Sequence, residues 1–421
     1  MSDFALRLAW FDPCDFEAIE PTEALTPLPS VLFEEVGSIR VMEGVARATG
    51  TGERHLRIEQ TVDLPPYANQ ATVFLNGWEA AFDDTDHHVY DVAAVLARIR
   101  VTPGVTIQWT AIGDLSDFGA EETFVFTYRY TILAWNDTTV RAMVDHNDAE
   151  TFCRTREPHG SDNYFVGENV DPPDAMLTTA LASFPTFLRN PGFATGRQVA
   201  VLPRGFLFSW GGAGGGGTDH HLLQLAYNLE SVAPFVRNQS YHKASAMLNP
   251  LADSLAQVAF GDFVSWKTSV IFKDNSRRRD YAFAEFVSAM GGADVEIIQP
   301  EFVVLPREDV DANIVGGGSG GGFKTADILI ENLPYAYAVP VLTGWEIGYT
   351  PPGEGDQHVR DFGIFIDRIH YDRPPGAATG SLRYTVTAVL SDKDAFPDNY
   401  FSHKVTILGL KPTSTAAPPV G

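Results

Sequence analysis

A set of short segments occurs twice in this chain in the same order, and this duplication is the feature that most constrains the fold. The matched pairs, in chain order, are Asn76–Glu79 with Thr343–Glu346, His88–Asp91 with His358–Asp361, Arg98–Ile99 with Arg368–Ile369, Leu115–Asp117 with Leu390–Asp392, and Thr131–Leu133 with Thr406–Leu408. Ordered matches of this kind indicate that one structural module is present at least twice.

A third, more diverged copy is predicted between these two. The glycine run Gly211–Gly217 precedes an apolar segment, as Gly316–Gly322 does in the last copy. An aromatic residue lies eight positions before an aspartate at three places: Trp109 and Asp117, Trp266 and Asp274, and Tyr384 and Asp392. We therefore expect three copies, with the two glycine runs at the same place in two of them.

The segments inside each copy have the pattern of β-strands. Residues 105–110 and 382–387 alternate apolar with polar side chains, and residues 123–130 are rich in β-branched and aromatic types. The predicted fold is therefore mainly β, with tandem repeated antiparallel β-sandwich domains. Short helical insertions are predicted from Pro172 to about Leu188 and from about His242 to Val258.

These patterns divide the chain into six parts. The predicted parts are an extended N-terminal arm (1–35), β-sandwich repeat 1 (36–137), a connecting segment with a helix (138–196), a diverged repeat 2 (197–306), repeat 3 (307–411) and a flexible tail (412–421). The arm is rich in proline but also carries apolar side chains, so we expect it to dock on a neighbouring copy of the chain.

Charge and motif content exclude several classes of function. The chain has 54 acidic and 30 basic residues, a net charge of −24, which argues against direct nucleic-acid binding and against anionic membrane surfaces. It has no apolar run long enough for a transmembrane helix and no recognisable signal peptide. We find no signature of a hydrolase, kinase or zinc protease, so the prediction is a protein without enzymatic activity and without a cofactor.

Two kinds of motif have both a chemical and a structural interpretation. The glycine runs lack the GxxxxGK[ST] spacing of a phosphate-binding loop, so we interpret them as turning loops. Three histidine clusters, at residues 86–88, 219–221 and 356–358, are interpreted as structural or solvent-facing, so no metal site is predicted; a metal site and a sensor of mild acid are the alternatives. The first and third clusters match each other in the repeat, whereas the second is expected at another repeat position.

The candidate site residues fall into two groups. The candidate assembly contacts are aromatic residues of the arm and the only basic run in the chain: Trp10, Phe11, Phe16, Arg277, Arg278 and Arg279. The candidate core residues are Trp78 and Trp345, which follow an apolar strand in both clear copies.

The order of segments resembles the H-type lectin module, a six-stranded antiparallel sandwich. The resemblance is carried by an apolar strand ending at Gly77, a middle segment from Val89 to Ile99 and a last strand closing on Trp135; the third copy has Gly409-Leu410 where the tryptophan is expected. It implies a sandwich fold, and it implies a place among lectins or the surface proteins of viruses and phages.

Two functions remain open from the sequence. The first is a structural protein of a large homo-oligomeric assembly, such as a virion coat, protrusion or appendage, located in a virion or extracellular assembly after cytoplasmic synthesis. The second is a carbohydrate-binding lectin or adhesin. The expected partners are copies of the same chain, with other structural proteins or surface glycans as further partners.

Overall fold

The structure is a computed structural model, and it describes part of the chain. The described residues are 33–36, 39–51, 56–82, 87–89, 91–116, 123–136, 142–146, 164–168, 180–185, 199–211, 222–235, 263–274, 280–292, 295–298, 303–304, 321–350, 358–391 and 398–411. Structural statements below refer to these residues.

Regular structure in this part of the chain consists of antiparallel β-strands. In chain order they are β1 (Phe33–Val36), β2 (Ile39–Thr51), β3 (Leu56–Asp63), β4 (Gln70–Phe82), β5 (Asp91–Thr102), β6 (Thr106–Ser116), β7 (Thr123–Trp135), β8 (Ala142–His146), β9 (Tyr164–Glu168), β10 (Ala180–Pro185), β11 (Val199–Gly211), β12 (Leu222–Phe235), β13 (Phe263–Asp274), β14 (Asp280–Gly292), β15 (Val295–Ile298), β16 (Val303–Val304), β17 (Gly321–Leu333), β18 (Tyr337–Thr350), β19 (Asp361–Asp372), β20 (Gly380–Ser391) and β21 (Asp398–Leu410).

The mainly β class predicted from the sequence is confirmed, whereas helices are not found in the described ranges. The first predicted helix is wrong over Ala180–Pro185, which pair with β13 as strand β10. An apolar run of this length has no periodicity of its own that separates a helix from a buried strand, so the tertiary pairing decides. The second predicted helix lies outside the described residues. No helix long and apolar enough to cross a bilayer occurs in the ranges given above.

The strands form three seven-stranded sheets, and each sheet combines two copies of the module. The first sheet has the order β1-β2-β7-β4-β19-β20-β17. The second has the order β3-β6-β5-β11-β14-β8, with β9 also on β14. The third has the order β10-β13-β12-β18-β21-β15, with β16 also on β21. Each copy therefore places strands in two sheets, and the sandwiches do not stand as separate units with their own sheets.

The three junctions between copies have the same register. Five residue pairs join β4 to β19, β11 to β5 and β18 to β12. In each junction a glycine occupies one end pair, and the pair next to it is Trp78 with Ile364, Phe206 with Ala94, and Trp345 with Tyr227. The junctions follow one another cyclically: the first copy pairs with the third, the third with the middle and the middle with the first. The described strands at these junctions therefore have a pseudo-three-fold arrangement.

This register corrects the expected alignment of the middle copy. Strand β11 is the counterpart of β4 and β18, so Arg204-Gly205-Phe206 corresponds to the segments at Trp78 and Trp345. The first glycine run begins at Gly211, the last residue of β11, whereas Gly321 and Gly322, which end the second run, are the first residues of β17. The two glycine runs therefore do not occupy the same place in their copies.

Candidate functional site

The counterpart strands β4, β11 and β18 share a β-bulge at one position. The pairing register shifts between Leu75 and Gly77, between Pro203 and Gly205, and between Leu342 and Gly344. A bulge inserts one extra residue and bends the strand, which redirects the inserted side chain. The three inserted residues, Asn76, Arg204 and Thr343, are each 1% exposed. The bulges therefore carry polar side chains into the interior at three equivalent places.

Three aromatic rings follow these bulges and pack against one another. The ring centroids of Trp78, Phe206 and Trp345 are 5.2, 5.5 and 5.3 Å apart, a nearly equilateral triangle. These spacings are typical of favourable edge-to-face and tilted aromatic pairs. A cavity of only about 10 Å³ adjoins the rings, and its lining is mostly apolar. The triangle marks the pseudo-three-fold axis and is a packed core rather than a ligand site.

Two glycines allow the copies to approach closely at their junctions. Gly77 has φ +151° and Gly205 has φ +152°, a region that side-chain-bearing residues rarely adopt. A Cβ at Gly77 would lie 2.1 Å from Phe365 Cβ, and one at Gly205 would lie 2.1 Å from the carbonyl oxygen of Ala94. Glycine is therefore required at both positions for the neighbouring strand to pair.

The junction between the first and third copies is polar. The Asn76 amide nitrogen donates hydrogen bonds to Thr131 Oγ1 at 2.7 Å and to the carbonyl oxygen of Pro340 at 3.1 Å. The backbone N–H of Leu342 donates to Asn76 Oδ1 at 3.2 Å. Arg129 Nη1 lies 3.6 Å from Asp367 Oδ2. The Arg129 guanidinium also stacks over the Phe365 ring, 3.9 Å from its centroid. These contacts join residues of two copies at a partly buried site.

Burial changes the acid–base behaviour of this junction. Desolvation lowers the pKa of Arg129 and raises the pKa of Asp367, and the attraction between the two groups opposes both shifts. Desolvation, together with the nearby Asp361 carboxylate, also raises the pKa of Glu79. The charged forms of all three groups are therefore less favourable here than in water.

A cleft of about 160 Å³ lies beside this ion pair. The polar side chains in its walls are Glu43, Asn76, Arg129, Tyr130, Thr131, Asp367 and Arg368. Ligand sites for drug-sized molecules are larger, on the order of 300–1,000 Å³. The cleft therefore suits a small polar ligand, with donors and acceptors from two copies of the module.

The two other junctions place different residues at the position of Arg129. In the third copy Lys404 Nζ donates to Asn228 Oδ1 at 3.2 Å and to the carbonyl of Leu229 at 2.7 Å. In the middle copy the position is Phe286, 2% exposed, and the counterpart of Asp367 is Ala97, 1% exposed. Each junction therefore has its own chemistry, which favours one order of the copies over the alternatives.

The histidine clusters of the first and third copies meet in the structure. His88 Nε2 and His358 Nε2 are 2.9 Å apart. An antiparallel bridge between His87 and Val359 holds the two segments together. No group of three or more potential metal ligands was found within the described residues. The segment 219–221 lies outside them.

The structure describes only part of the residues singled out from the sequence. Trp78 and Trp345 are buried at 1% and 2% exposure and contact each other. The candidate assembly contacts lie outside the described residues: Trp10, Phe11, Phe16, Arg277, Arg278 and Arg279.

Sequence reasoning missed several residues of the site. Arg204 and Phe206 were not identified because the middle copy was aligned on its glycine run. A glycine followed by an aromatic residue, as in the other two copies, would have identified them. Arg129 and Asp367 had no sequence signal, because nothing local pairs two residues so far apart in the chain.

Comparison with family models, with curated proteins and with solved structures finds no match for this chain.

Proposed function

We propose that this protein is a non-enzymatic structural subunit of a large homo-oligomeric assembly, of the virion coat, protrusion or appendage type. The observation that supports this is the interlocking of three copies through shared sheets within one chain. Such a body presents three related sides to its neighbours, which suits contacts repeated by symmetry. It is made for a virion or extracellular assembly, and its partners are copies of the same chain.

The edge of the first sheet supplies one contact surface. Strand β17 has 13 residues and pairs only with β20 among the described strands. An open edge of that length can accept a strand from another chain. Leu329, on this strand, is 48% exposed, and Val105, at the turn between β5 and β6, is 55% exposed. We propose that β17 receives a segment of a neighbouring copy.

The N-terminal arm is the segment proposed to bridge subunits. Its aromatic residues Trp10, Phe11 and Phe16 need an apolar surface to cover, and the basic run Arg277–Arg279 offers a contact for the acidic surface of a neighbour. Self-association must overcome the repulsion of a net charge of −24 per chain. Added salt screens that repulsion, so assembly should strengthen as salt increases.

Size-exclusion chromatography with light scattering, followed by negative-stain imaging, tests this proposal. The full chain should form large regular particles. A variant that starts at Phe33, and so retains β1, should stay folded but assemble poorly. Leu329→Lys should also weaken assembly, whereas the matched change Val105→Lys should not. A full chain that stays monomeric at high concentration and high salt would contradict the proposal, as would normal assembly of the shortened variant.

A carbohydrate-binding function is the second candidate, and the cleft beside Arg129 and Asp367 favours it. Paired charged donors and acceptors of this kind can bind sugar hydroxyls, and a volume of about 160 Å³ suits a small saccharide unit. We propose that each copy derives from a six-stranded sandwich similar to the H-type lectin module. Glycan-array binding by the wild type that is lost in Asp367→Asn would favour this function, and an array without any binding would count against it.

A further inference from the structure

Two arginines at equivalent positions of the module have a backbone conformation that residues other than glycine rarely adopt. Arg98 has φ 55° and Arg368 has φ 52°, both in the left-handed region. Each lies at a β-bulge, because the register of β5 on β6 and of β19 on β20 shifts at these residues. A bulge redirects a side chain, and an unfavourable backbone conformation that persists is frequently found at a binding site.

The surroundings of these two arginines differ. Arg368 is exposed and lines the cleft of about 160 Å³, together with Arg129 and Asp367. Arg98 belongs to the junction where Phe286 and Ala97 replace that pair, and it does not line the cleft. The same bulge therefore brings an arginine to a charged cleft in the third copy and to an apolar junction in the first.

The cleft is rich in hydrogen-bond donors that the described residues do not use. Neither Arg129 nor Arg368 donates a hydrogen bond to another residue of the described part. The 3.6 Å between Arg129 and Asp367 exceeds the roughly 2.7–2.9 Å of a charge-assisted hydrogen bond. A guanidinium has five N–H donors and no acceptor, so two of them require oxygen acceptors from elsewhere. A carboxylate supplies these acceptors in the geometry that arginine prefers.

The other walls of the cleft are fixed and include acceptors. The Asn76 side chain is held by its hydrogen bonds to Thr131 and Pro340. Asp367 Oδ1 accepts no hydrogen bond from the described residues, and Glu43 adds a second carboxylate to the walls. Carboxylates repel a bare anion but accept hydrogen bonds from hydroxyl groups. The complementary ligand therefore has hydroxyl groups beside its own carboxylate.

We propose that this cleft binds a carboxylate carried on a small hydroxylated body, with Arg368 and Arg129 on the carboxylate and Asp367 on a hydroxyl group. This inference rests on the second candidate function, ligand binding at this cleft, and is independent of assembly. The same chemistry occurs in a uronic acid unit of a glycan and in a free hydroxy acid. The volume of about 160 Å³ suits one such unit rather than an extended chain.

Calorimetry and ligand-observed NMR on the full chain test the ligand class. The probes are methyl glucuronide, lactate, the neutral methyl glucoside and inorganic sulfate. We expect methyl glucuronide to bind one to one and more weakly as salt increases, with methyl glucoside and sulfate weaker by about tenfold or more. Binding of lactate without methyl glucuronide would support the carboxylate site and contradict the carbohydrate function. Equal binding of glucuronide and glucoside would keep the carbohydrate function and overturn the carboxylate site.

The two equivalent arginines provide matched variants. Arg368→Gln should weaken binding of the carboxylate probe by about tenfold or more, whereas Arg98→Gln should bind as the wild type does. Arg368→Gly suits the left-handed backbone, so it should lose binding while keeping a melting temperature close to that of the wild type. Arg98→Gly should keep both. This separation of binding from stability is not expected if Arg368 is only structural.

Three results would overturn the proposal. The first is a wild type that binds neither methyl glucuronide nor lactate. The second is binding that persists unchanged in both Arg368 variants, and the third is equal weakening by Arg98→Gln. Because the readouts are binding and melting temperature of one chain, they do not depend on whether the protein assembles.

Discussion

Arg129 and Asp367 belong to different copies of the module and form an ion pair of 3.6 Å across their junction, with each side chain 24% exposed. The middle copy has Phe286 where the first has Arg129, and Ala97 is the counterpart of Asp367. Equivalent positions are therefore filled by charged side chains at one junction and by apolar side chains at another.

A double-mutant cycle tests the ion pair. Removing one partner leaves a partly buried charge without compensation, so Arg129→Phe and Asp367→Ala should each lower the free energy of unfolding by about 1–3 kcal/mol. The double variant Arg129→Phe/Asp367→Ala has the residues of the Phe286 junction. Its loss of unfolding free energy should be smaller than the sum of the two single losses by at least about 0.5 kcal/mol. Urea unfolding measures all four proteins. Strict additivity of the two changes would show that the pair contributes nothing.

Stability should depend on pH through Glu79. Its pKa is raised in the folded state by burial and by Asp361. The folded chain therefore keeps this proton at pH values where the unfolded chain has lost it. Between the ordinary pKa of a glutamate and the raised pKa of Glu79, the folded chain binds more protons than the unfolded chain. The free energy of unfolding therefore falls as pH rises through this interval, and the loss is complete above the pKa of Glu79 in the folded chain. Glu79→Gln should flatten this decline.

The control for this experiment is Glu331→Gln, which removes one charge from an exposed position of β17. Urea unfolding between about pH 4 and 7 compares the slopes of the wild type and both variants. If Glu79→Gln and Glu331→Gln give the same slope of unfolding free energy against pH, burial of Glu79 is not the cause of the pH dependence.

The axial aromatic cluster makes a graded prediction. Trp78→Ala should cost about 3–5 kcal/mol of unfolding free energy, because it opens a cavity among fixed neighbours. Trp78→Phe should cost far less, about 1 kcal/mol, since phenylalanine already fills the equivalent position as Phe206 and the Trp78 indole N–H has no hydrogen-bond partner among the described residues. Thermal and urea unfolding provide the measurement. Equal costs for the two variants would mean that the cluster is not close-packed.

Close approach at the junction predicts the effect of replacing Gly205. Gly205→Ala adds a methyl group 2.1 Å from the carbonyl oxygen of Ala94 at φ +152°. Strain and steric overlap together should cost at least about 3 kcal/mol. Gly376→Ala is the matched control, because that glycine has φ +80° but nothing within 4 Å of the added atom. It should cost only about 1 kcal/mol from backbone strain. Similar losses for both variants would contradict the steric explanation.

The shared sheets predict one cooperative unfolding transition. Each sheet needs strands from two copies, so no copy can unfold while the other two keep intact sheets. Calorimetry should therefore give one peak, with equal calorimetric and van't Hoff enthalpies under conditions where the chain is monomeric. Independent sandwiches in tandem would instead give separable transitions, and that result would contradict the interlocked topology.

The sequence by itself determined the local structure and the existence of the repeat. Alternation in segments such as 105–110 and aromatic content in 123–130 indicate strands, because side chains point to opposite faces of a strand with a period of two. Recurrence of the segments at Trp78 and Trp345 identified two copies. The middle copy was also expected, but its alignment was wrong, since Arg204-Gly205-Phe206 shares only the glycine with its counterparts.

Only the tertiary structure decided which strands pair and which residues meet at the site. A period-two pattern shows which face of a strand is buried, but not which strand pairs with its edge. The backbone hydrogen-bonding groups along the edge are the same for any partner strand, so the sequence does not specify the partner. The contacts of Arg129 with Asp367 and of His88 with His358 join residues more than 200 positions apart. Such contacts arise only when β4 and β19 pair, and that pairing is set by the packing of all three copies around one axis.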